Sequence, residues 1–240
     1  MRRLILMFIF VPILTYAELR IPGNLTAADE NTALEILGLS TVMKTLGDPF
    51  PLGGYSGIEF GLTMNVISSA EIARLGSRTT AQSETNYHTL TAGKGLYRNL
   101  DALVSFSHAG QSENIQSFGM QFRWGVFQAE YLPIYSSLVL SMASTNFNNL
   151  IITNNYNLDI LFGFKEGDLT LYFGGGMIRA LGTFSGGTGG VTASGKTDYH
   201  ALTAEHVLAG LNVKFGNWFT AFELDRSSGP TYSAKLGYRF

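Results

Sequence analysis

Long stretches of this chain alternate between apolar and polar residues. Ile58, Phe60, Leu62, Met64 and Val66 alternate with Glu59, Gly61, Thr63 and Asn65. Phe118, Met120, Phe122, Trp124 and Val126 alternate with Ser117, Gly119, Gln121, Arg123 and Gly125. The C-terminus repeats the pattern, with Tyr232, Ala234, Leu236, Tyr238 and Phe240 set against Ser233, Lys235, Gly237 and Arg239. A period of two is the signature of a strand with one apolar face. A soluble sandwich alternates too, with its apolar face inward. Here the stretches run to about ten residues, the length of a tilted strand that crosses a bilayer. Their polar faces carry Gly and charges of both signs, which suits a narrow lumen. The fold class expected is all-β: a transmembrane antiparallel up-and-down β-barrel of about ten strands, preceded by a short N-terminal helix.

The strands are expected at Gly54–Ser68, Glu84–Leu96, Leu100–Ala109, Ile115–Phe127, Ile134–Ser144, Leu150–Phe164, Asp168–Ile178, Thr197–Phe215, Asn217–Arg226 and Thr231–Phe240. The second, fifth and eighth alternate less cleanly, which leaves barrels of about eight or twelve strands open. The two longest connections, Ser69–Ser83 and Arg179–Lys196, follow odd-numbered strands and so fall on one side. Short turns follow the even-numbered ones. Bacterial barrels keep short turns in the periplasm and long loops outside. Past Gly182, the Gly-rich Arg179–Lys196 segment has only Phe184 and Val191 as bulky apolar residues, so a flexible loop that shields the rim is expected. Trp124, Trp218, Tyr238 and Phe240 fall near the periplasmic strand ends, where an aromatic membrane girdle belongs.

The first residues add a targeting signal. Arg2 and Arg3 precede the apolar run Leu4–Leu14, and Thr15-Tyr16-Ala17 offers a cleavage site before Glu18. That run falls well short of the ~20 residues of a membrane helix, so a signal peptide over 1–17 is expected. Residues 18–52 then form a periplasmic N-terminal segment. Its apolar stripe of Leu34, Ile36, Leu37, Leu39, Met43 and Leu46 predicts a helix within Ala27–Leu46, which could lie on the periplasmic surface, plug the lumen or act as a spacer. Residues 53–240 make the barrel.

Composition narrows the classes further. The chain holds 16 basic and 18 acidic residues. Without Arg2 and Arg3 this becomes 14 against 18, a net charge of −4, which offers nothing to nucleic acid. There are no cysteines, so stability must come from elsewhere than disulfides.

The terminal Tyr238-Arg239-Phe240 resembles the sorting signature of outer-membrane β-barrels that is read by the barrel-assembly machinery. The pieces Gly93-Lys94-Gly95-Leu96, Asn157-Leu158-Asp159, Ala221-Phe222-Glu223-Leu224-Asp225 and Tyr232-Ser233-Ala234-Lys235-Leu236-Gly237 are similar to those of small proteobacterial outer-membrane barrels. The resemblance implies the cell outer membrane as location, with the lipid bilayer and the assembly machinery as partners. It implies no activity.

Candidate chemistry is sparse. Asp198 and His200 share a face at the outer end of the eighth strand. The omptin proteases, also ten-stranded barrels, use an Asp–His pair with facing acidic residues at that rim. The matching acidic pair is missing here, so no enzyme and no catalytic residue is expected. His88 and His108 are isolated, and no metal-binding motif or cofactor site is present. The lumen-lining residues are expected to be Glu59, Asn65, Gln121, Arg123, Asp159, Asn212, Lys214, Glu223, Asp225, Lys235 and Arg239, with His206 also inward. Arg123 and Lys235 should find acidic partners among Glu59, Asp159 and Glu223. Two function classes follow. One is a narrow pore or binder for small solutes; the other is a structural or surface-interaction barrel that acts through its outer loops. A rim hydrolase ranks last.

Overall fold

The computed structural model describes residues 19–79, 84–107 and 115–240. The signal peptide with its cleavage site, His108 and the end of the third strand, and part of the first long loop lie outside the described residues. Ten antiparallel strands close into a barrel. They are β1 (Ile58–Ser68), β2 (Glu84–Tyr97), β3 (Leu100–Ser107), β4 (Ile115–Gln128), β5 (Ile134–Phe147), β6 (Ile151–Glu166), β7 (Leu169–Phe184), β8 (Asp198–Phe215), β9 (Trp218–Arg226) and β10 (Pro230–Arg239). Each pairs with its neighbour in sequence. The seam closes where β1 meets β10, from Glu59 opposite Arg239 to Ile67 opposite Thr231.

The alternation decides which way each residue points. Phe60, Phe118, Leu158, Ile160, Phe173 and Leu236 are exposed on the outer wall. Their sequence neighbours Glu59, Asn157, Asp159 and Lys235 are buried inside. A soluble core would reverse this arrangement, because burial of the apolar set is what drives folding in water. An apolar exterior around a polar interior is stable only where lipid is the outer solvent. No helix among the described residues is long and apolar enough to cross a membrane. Arg in place of Phe122, at mid-strand on the outer face of β4, should therefore cost about 2–4 kcal/mol of folding free energy in a bilayer. Denaturant titration of the vesicle-inserted protein measures it, and a cost below Arg123→Ala would reverse the facing.

The turns sort the two ends. Short connections after β2, β4, β6 and β8 gather at one end, here the turn end, together with the start of β1 and the finish of β10. The longer connections after β1 and β7 gather at the opposite, loop end. The β5–β6 connection at the loop end is also tight. Asn148 and Asn149 both take positive φ, 54° and 57°, the left-handed pair of a type I′ turn, closed by the Leu150 N–H donating to the Phe147 carbonyl at 2.9 Å.

β1 begins at Ile58 and not Gly54, β5 runs on past Ser144 to Phe147, and two elements differ further from expectation. β7 continues to Phe184 because its inward row runs on past Ile178 through Ala180 and Gly182, whose small size hides the alternation. The helix is shorter than Ala27–Leu46. It consists of α1 (Ala27–Ala33) and a π-helical turn over Leu34–Gly38, with helical geometry ending by Ser40. Thr26 starts it with a reciprocal cap. The Asp29 N–H donates to Thr26 Oγ1 at 3.3 Å, and the Thr26 N–H donates to Asp29 Oδ2 at 3.0 Å. These Thr26 donors hold the Asp29 carboxyl below the usual carboxylate range.

Candidate functional site

The lumen is the chemically distinctive part of the molecule. Many inward wall positions carry small hydroxyl residues, among them Thr63, Thr89, Ser105, Ser137, Ser141 and Thr153. An eight-stranded barrel is just filled by its own side chains, and ten strands lined with small residues leave space over. The N-terminal segment takes that space. Residues 19–52 run down the lumen from the loop end to the turn end, and the helix plugs it, one of the three placements that its apolar stripe left open.

At the loop end the contacts are apolar. Leu25, Leu34, Leu37, Leu39 and Val42 form a buried cluster with the wall residues Ile67, Tyr87, Phe147, Ile178 and Phe184. A Cβ at Gly38 would meet the Leu34 and Ala180 side chains, so the plug lies tight against β7. The Gly-rich connection is part of this cap and is not a free loop. The Leu25 N–H donates to the Val191 carbonyl at 2.7 Å, and the Ala193 N–H donates to the Leu25 carbonyl at 2.8 Å. Phe184 and Val191, the two bulky apolar residues past Gly182, are both buried against the plug. Composition alone missed this because the burying surface comes from elsewhere in the chain.

Lower down, the contacts become ionic. Lys44 of the plug pairs with Asp225 at 2.8 Å. Asp225 also lies 3.1 Å from His206 Nδ1, and His206 Nε2 lies 2.5 Å from Asp159. The two carboxylates approach opposite ring nitrogens, so they do not converge on one point. Among the described residues no group of acidic and His side chains could hold a metal ion. Glu223 accepts from the Leu46 N–H at 3.1 Å and from the Tyr172 hydroxyl at 2.8 Å. At the turn end, Asp48 accepts from Lys165 Nζ at 2.7 Å and from the Tyr135 hydroxyl at 2.9 Å, and its carbonyl accepts from Arg123 Nη1 at 2.8 Å. The Leu52 N–H donates to Asp101 at 2.8 Å.

Glu59 closes the network across the β1–β10 seam, with Lys235 at 2.6 Å and Arg239 at 2.7 Å. Both cations also face the Phe219 ring, at 5.6 Å and 4.7 Å from its centroid. Three of the large inward aromatics fit because each lies over a glycine of the next strand. Tyr135 covers Gly163, Tyr172 covers Gly210 and Phe219 covers Gly237, and each pair is in register.

The structure places Glu59, Asn65, Gln121, Arg123, Asp159, Asn212, Glu223, Asp225 and Lys235 on the inner wall, all buried. Lys214 and Arg239 are inward and half-buried near the turn end. Lys235 pairs with Glu59, but Arg123 does not join Glu59, Asp159 or Glu223. Its ionic neighbour is Asp101, directly opposite across β3–β4 at 3.9 Å. Asp101 stands at an inward position of β3 that the sequence reading did not single out, although its parity could have shown it. Glu30, Lys44 and Asp48 had no such signal, because a plug has no period.

At the rim, Asp198 and His200 do not act together. His200 Nε2 lies 2.6 Å from Glu30 of α1, and Asp198 accepts from the Ser194 hydroxyl at 2.8 Å. His88 faces outward on β2. Trp218, Tyr238 and Phe240 cluster on the outer wall at the turn end, with ring centroids 5.1 Å and 4.8 Å apart in succession, and Trp124 is exposed there too.

No protein-family model and no curated protein matches the sequence. Among solved structures, the chain is similar to the N-terminal β-barrel domain of Pseudomonas aeruginosa OprF, with 15% identity over 78% of this chain and 99% of that one at a TM-score of 0.37. It is also similar to Ail, the attachment invasion locus protein of Yersinia pestis, with 16% identity over 78% and 99% of the two chains at a TM-score of 0.35. A third similarity is to the Acinetobacter baumannii outer membrane protein Omp33, with 8% identity over 78% and 98% at a TM-score of 0.33.

Proposed function

We propose that this chain is an outer-membrane β-barrel held closed by its own N-terminal segment, and that it acts at its outer rim and not as an open pore. The filled lumen carries the reading. Residues 19–52 occupy it from end to end, and a cavity beside the plug, lined by Lys44, Thr63 and Lys235, measures about 20 Å³, room for one water. The apolar outer wall meets the lipid bilayer. The short turns face the periplasm and the loop end faces outside. Phe240, which directly follows the final strand, is the residue that the barrel-assembly machinery would read.

The loop end is then a folded platform built from the plug's first residues, the β1–β2 connection and the β7–β8 hairpin. The Ser77 N–H donates to the Gly23 carbonyl at 2.8 Å, and the Leu25–Val191 bond ties the third piece to them. A surface of this kind suits contact with partners. With Asp198 and His200 engaged separately, the reading is non-enzymatic. The second reading, a binder or conduit for small solutes, is favoured by the hydroxyl residues Thr63, Thr89, Thr91 and Ser105 that line the cavity beside the plug. It requires the plug to move.

Planar-bilayer recording separates the two. The full-length protein is expected to insert without stepwise conductance. Sustained steps from the unmodified protein would transfer the assignment to solute passage.

A further inference from the structure

The outer wall is apolar along most of β7, β8 and β9, but it carries charge near the loop end. Leu169, Leu171, Phe173 and Met177 of β7, and Trp218, Phe222 and Leu224 of β9, face outward and are exposed. Beyond them stand Arg179 on β7, Glu205 on β8 and Arg226 at the end of β9, all exposed on the same face. Among the described residues none of the three forms an ion pair. Their height follows from the strand geometry. Trp218 to Arg226 and Leu169 to Arg179 correspond to roughly 20 and 25 Å of barrel height at ~3.3 Å per residue and ~40° tilt. The lipid-facing band of such barrels is about 25 Å tall. The two arginines therefore stand where acyl chains end and headgroups begin.

The wall has a notch at that level. β9 stops at Arg226, opposite Val207 of β8. Above it, Asp198–His206 of β8 pairs with β7 only. Alternate backbone N–H groups of this edge are left as donors. The back of the notch is the plug helix, tied to the β9–β10 turn by Ser228 Oγ, which donates to the Glu35 carbonyl at 3.2 Å.

Register fixes the spacing of the two cations. Arg226 is level with Val207 of β8, and Arg179 is level with Thr203. Two strand steps across and four residues along separate their Cα atoms by about 16 Å, with Glu205 between them. Long side chains can close part of that gap. Guanidinium groups recognise phosphate by paired hydrogen bonds. Two of them at this separation fit a headgroup with a phosphate at each end of a disaccharide. A headgroup with a single phosphate satisfies one arginine and leaves the other unmatched. Glu205 keeps a third anionic group from settling between them, and it can share a divalent cation with either phosphate.

We propose that Arg179 and Arg226, with the free edge of β8, form a binding site for the bisphosphorylated disaccharide headgroup of an outer-leaflet glycolipid, whose acyl chains lie along Met177, Val207 and Leu224. This rests on the outer-membrane reading above. The test uses the full-length protein in detergent and in vesicles. Native mass spectrometry with bisphosphorylated lipid A is expected to show a retained adduct, at least tenfold reduced in Arg179→Gln/Arg226→Gln and partly reduced in each single variant. Monophosphorylated lipid A and phosphatidylglycerol are expected to bind no better to the native protein than to the double variant. Inorganic phosphate at millimolar concentration should not displace the adduct. Equal retention by native and double-variant protein, or equal retention of the mono- and bisphosphorylated lipids, would overturn the proposal. Vesicle flotation tells the two failures apart. Protein that floats but shows no lipid preference sinks this site alone, whereas protein that never inserts sinks the outer-membrane reading beneath it. The glutamine substitutions keep polarity at exposed positions, so folding should persist, and heat-modified mobility on gels verifies it.

Discussion

Glu59→Ala is expected to cost about 3–5 kcal/mol of barrel stability, because it leaves two cations in the lumen without their shared anion. Glu59 is 1% exposed, and its two carboxylate oxygens separately take Lys235 and Arg239. Lys235 is itself buried and has no other acidic partner within ion-pair distance among the described residues. Desolvation of an unpaired ammonium is the main part of the loss; the pair's own net contribution is smaller. A double substitution separates the two terms. Glu59→Ala with Lys235→Met removes the stranded ammonium and should recover a substantial part of the loss. Urea unfolding of the vesicle-inserted protein measures both. A single-variant cost under about 1 kcal/mol would mean that water reaches Lys235 and that the seam network is solvated, since exposed pairs contribute no more than that.

Removal of residues 27–46 is expected to raise bilayer conductance by more than about tenfold over the silent full-length protein, since a ten-stranded wall lined with small residues does not fill its own interior. The deletion takes out α1, the π-helical turn and Lys44, while Asp48 stays in place with Lys165 and Tyr135 at the turn end. It also strips partners from Asp225 and Glu223. Water entering the vacated lumen can solvate those groups, so the strands should still pair. Heat-modified mobility confirms that the deleted protein is folded before its conductance is read. A folded deletion that stays silent would show that the wall collapses inward, and that the plug is not what closes the barrel.

The strands were legible to the extent that their inward residues differ from their outward ones. β4 reads almost directly because Gln121 and Arg123 alternate with Phe122 and Trp124. The upper half of β7 does not, because Ala180 and Gly182 are small where the plug needs room, and small inward residues blur the contrast. The wall charges were legible as a set, since parity alone sends them inward. Their pairings were not, because pairing depends on register: Asp101 meets Arg123 only through the β3–β4 alignment. The plug's path was the least legible part. Thr41, Lys44, Leu46 and Asp48 find partners on β6, β9 and β4, far away in sequence, and nothing periodic marks such contacts. One indirect signal was present, the run of Ser and Thr at inward positions, which calls for an internal occupant. The phosphate site escaped for a related reason. With β7 read as ending at Ile178, Arg179 fell in a loop and could not face lipid.

The threaded segment also constrains the order of assembly. The chain enters the lumen at the loop end, leaves it beside Leu52 and only then begins β1. Pulling such a segment lengthwise into a finished cylinder from its tether at the turn end would drag Leu25, Leu34, Leu37 and Leu39 through the charged lower lumen, where Glu59, Glu223 and Asp225 would be stripped of water with no partner in place. Wrapping avoids that difficulty. The strands can curl around a segment already lying against β6 and β7, and the cylinder is complete when its last strand meets its first. Glu59 stands on one lip of that joint, and Lys235 and Arg239 stand on the other. The ion pairs that stabilise the finished wall are therefore also its fastening, made last, and what lies inside at that moment is held there by the topology of the chain itself.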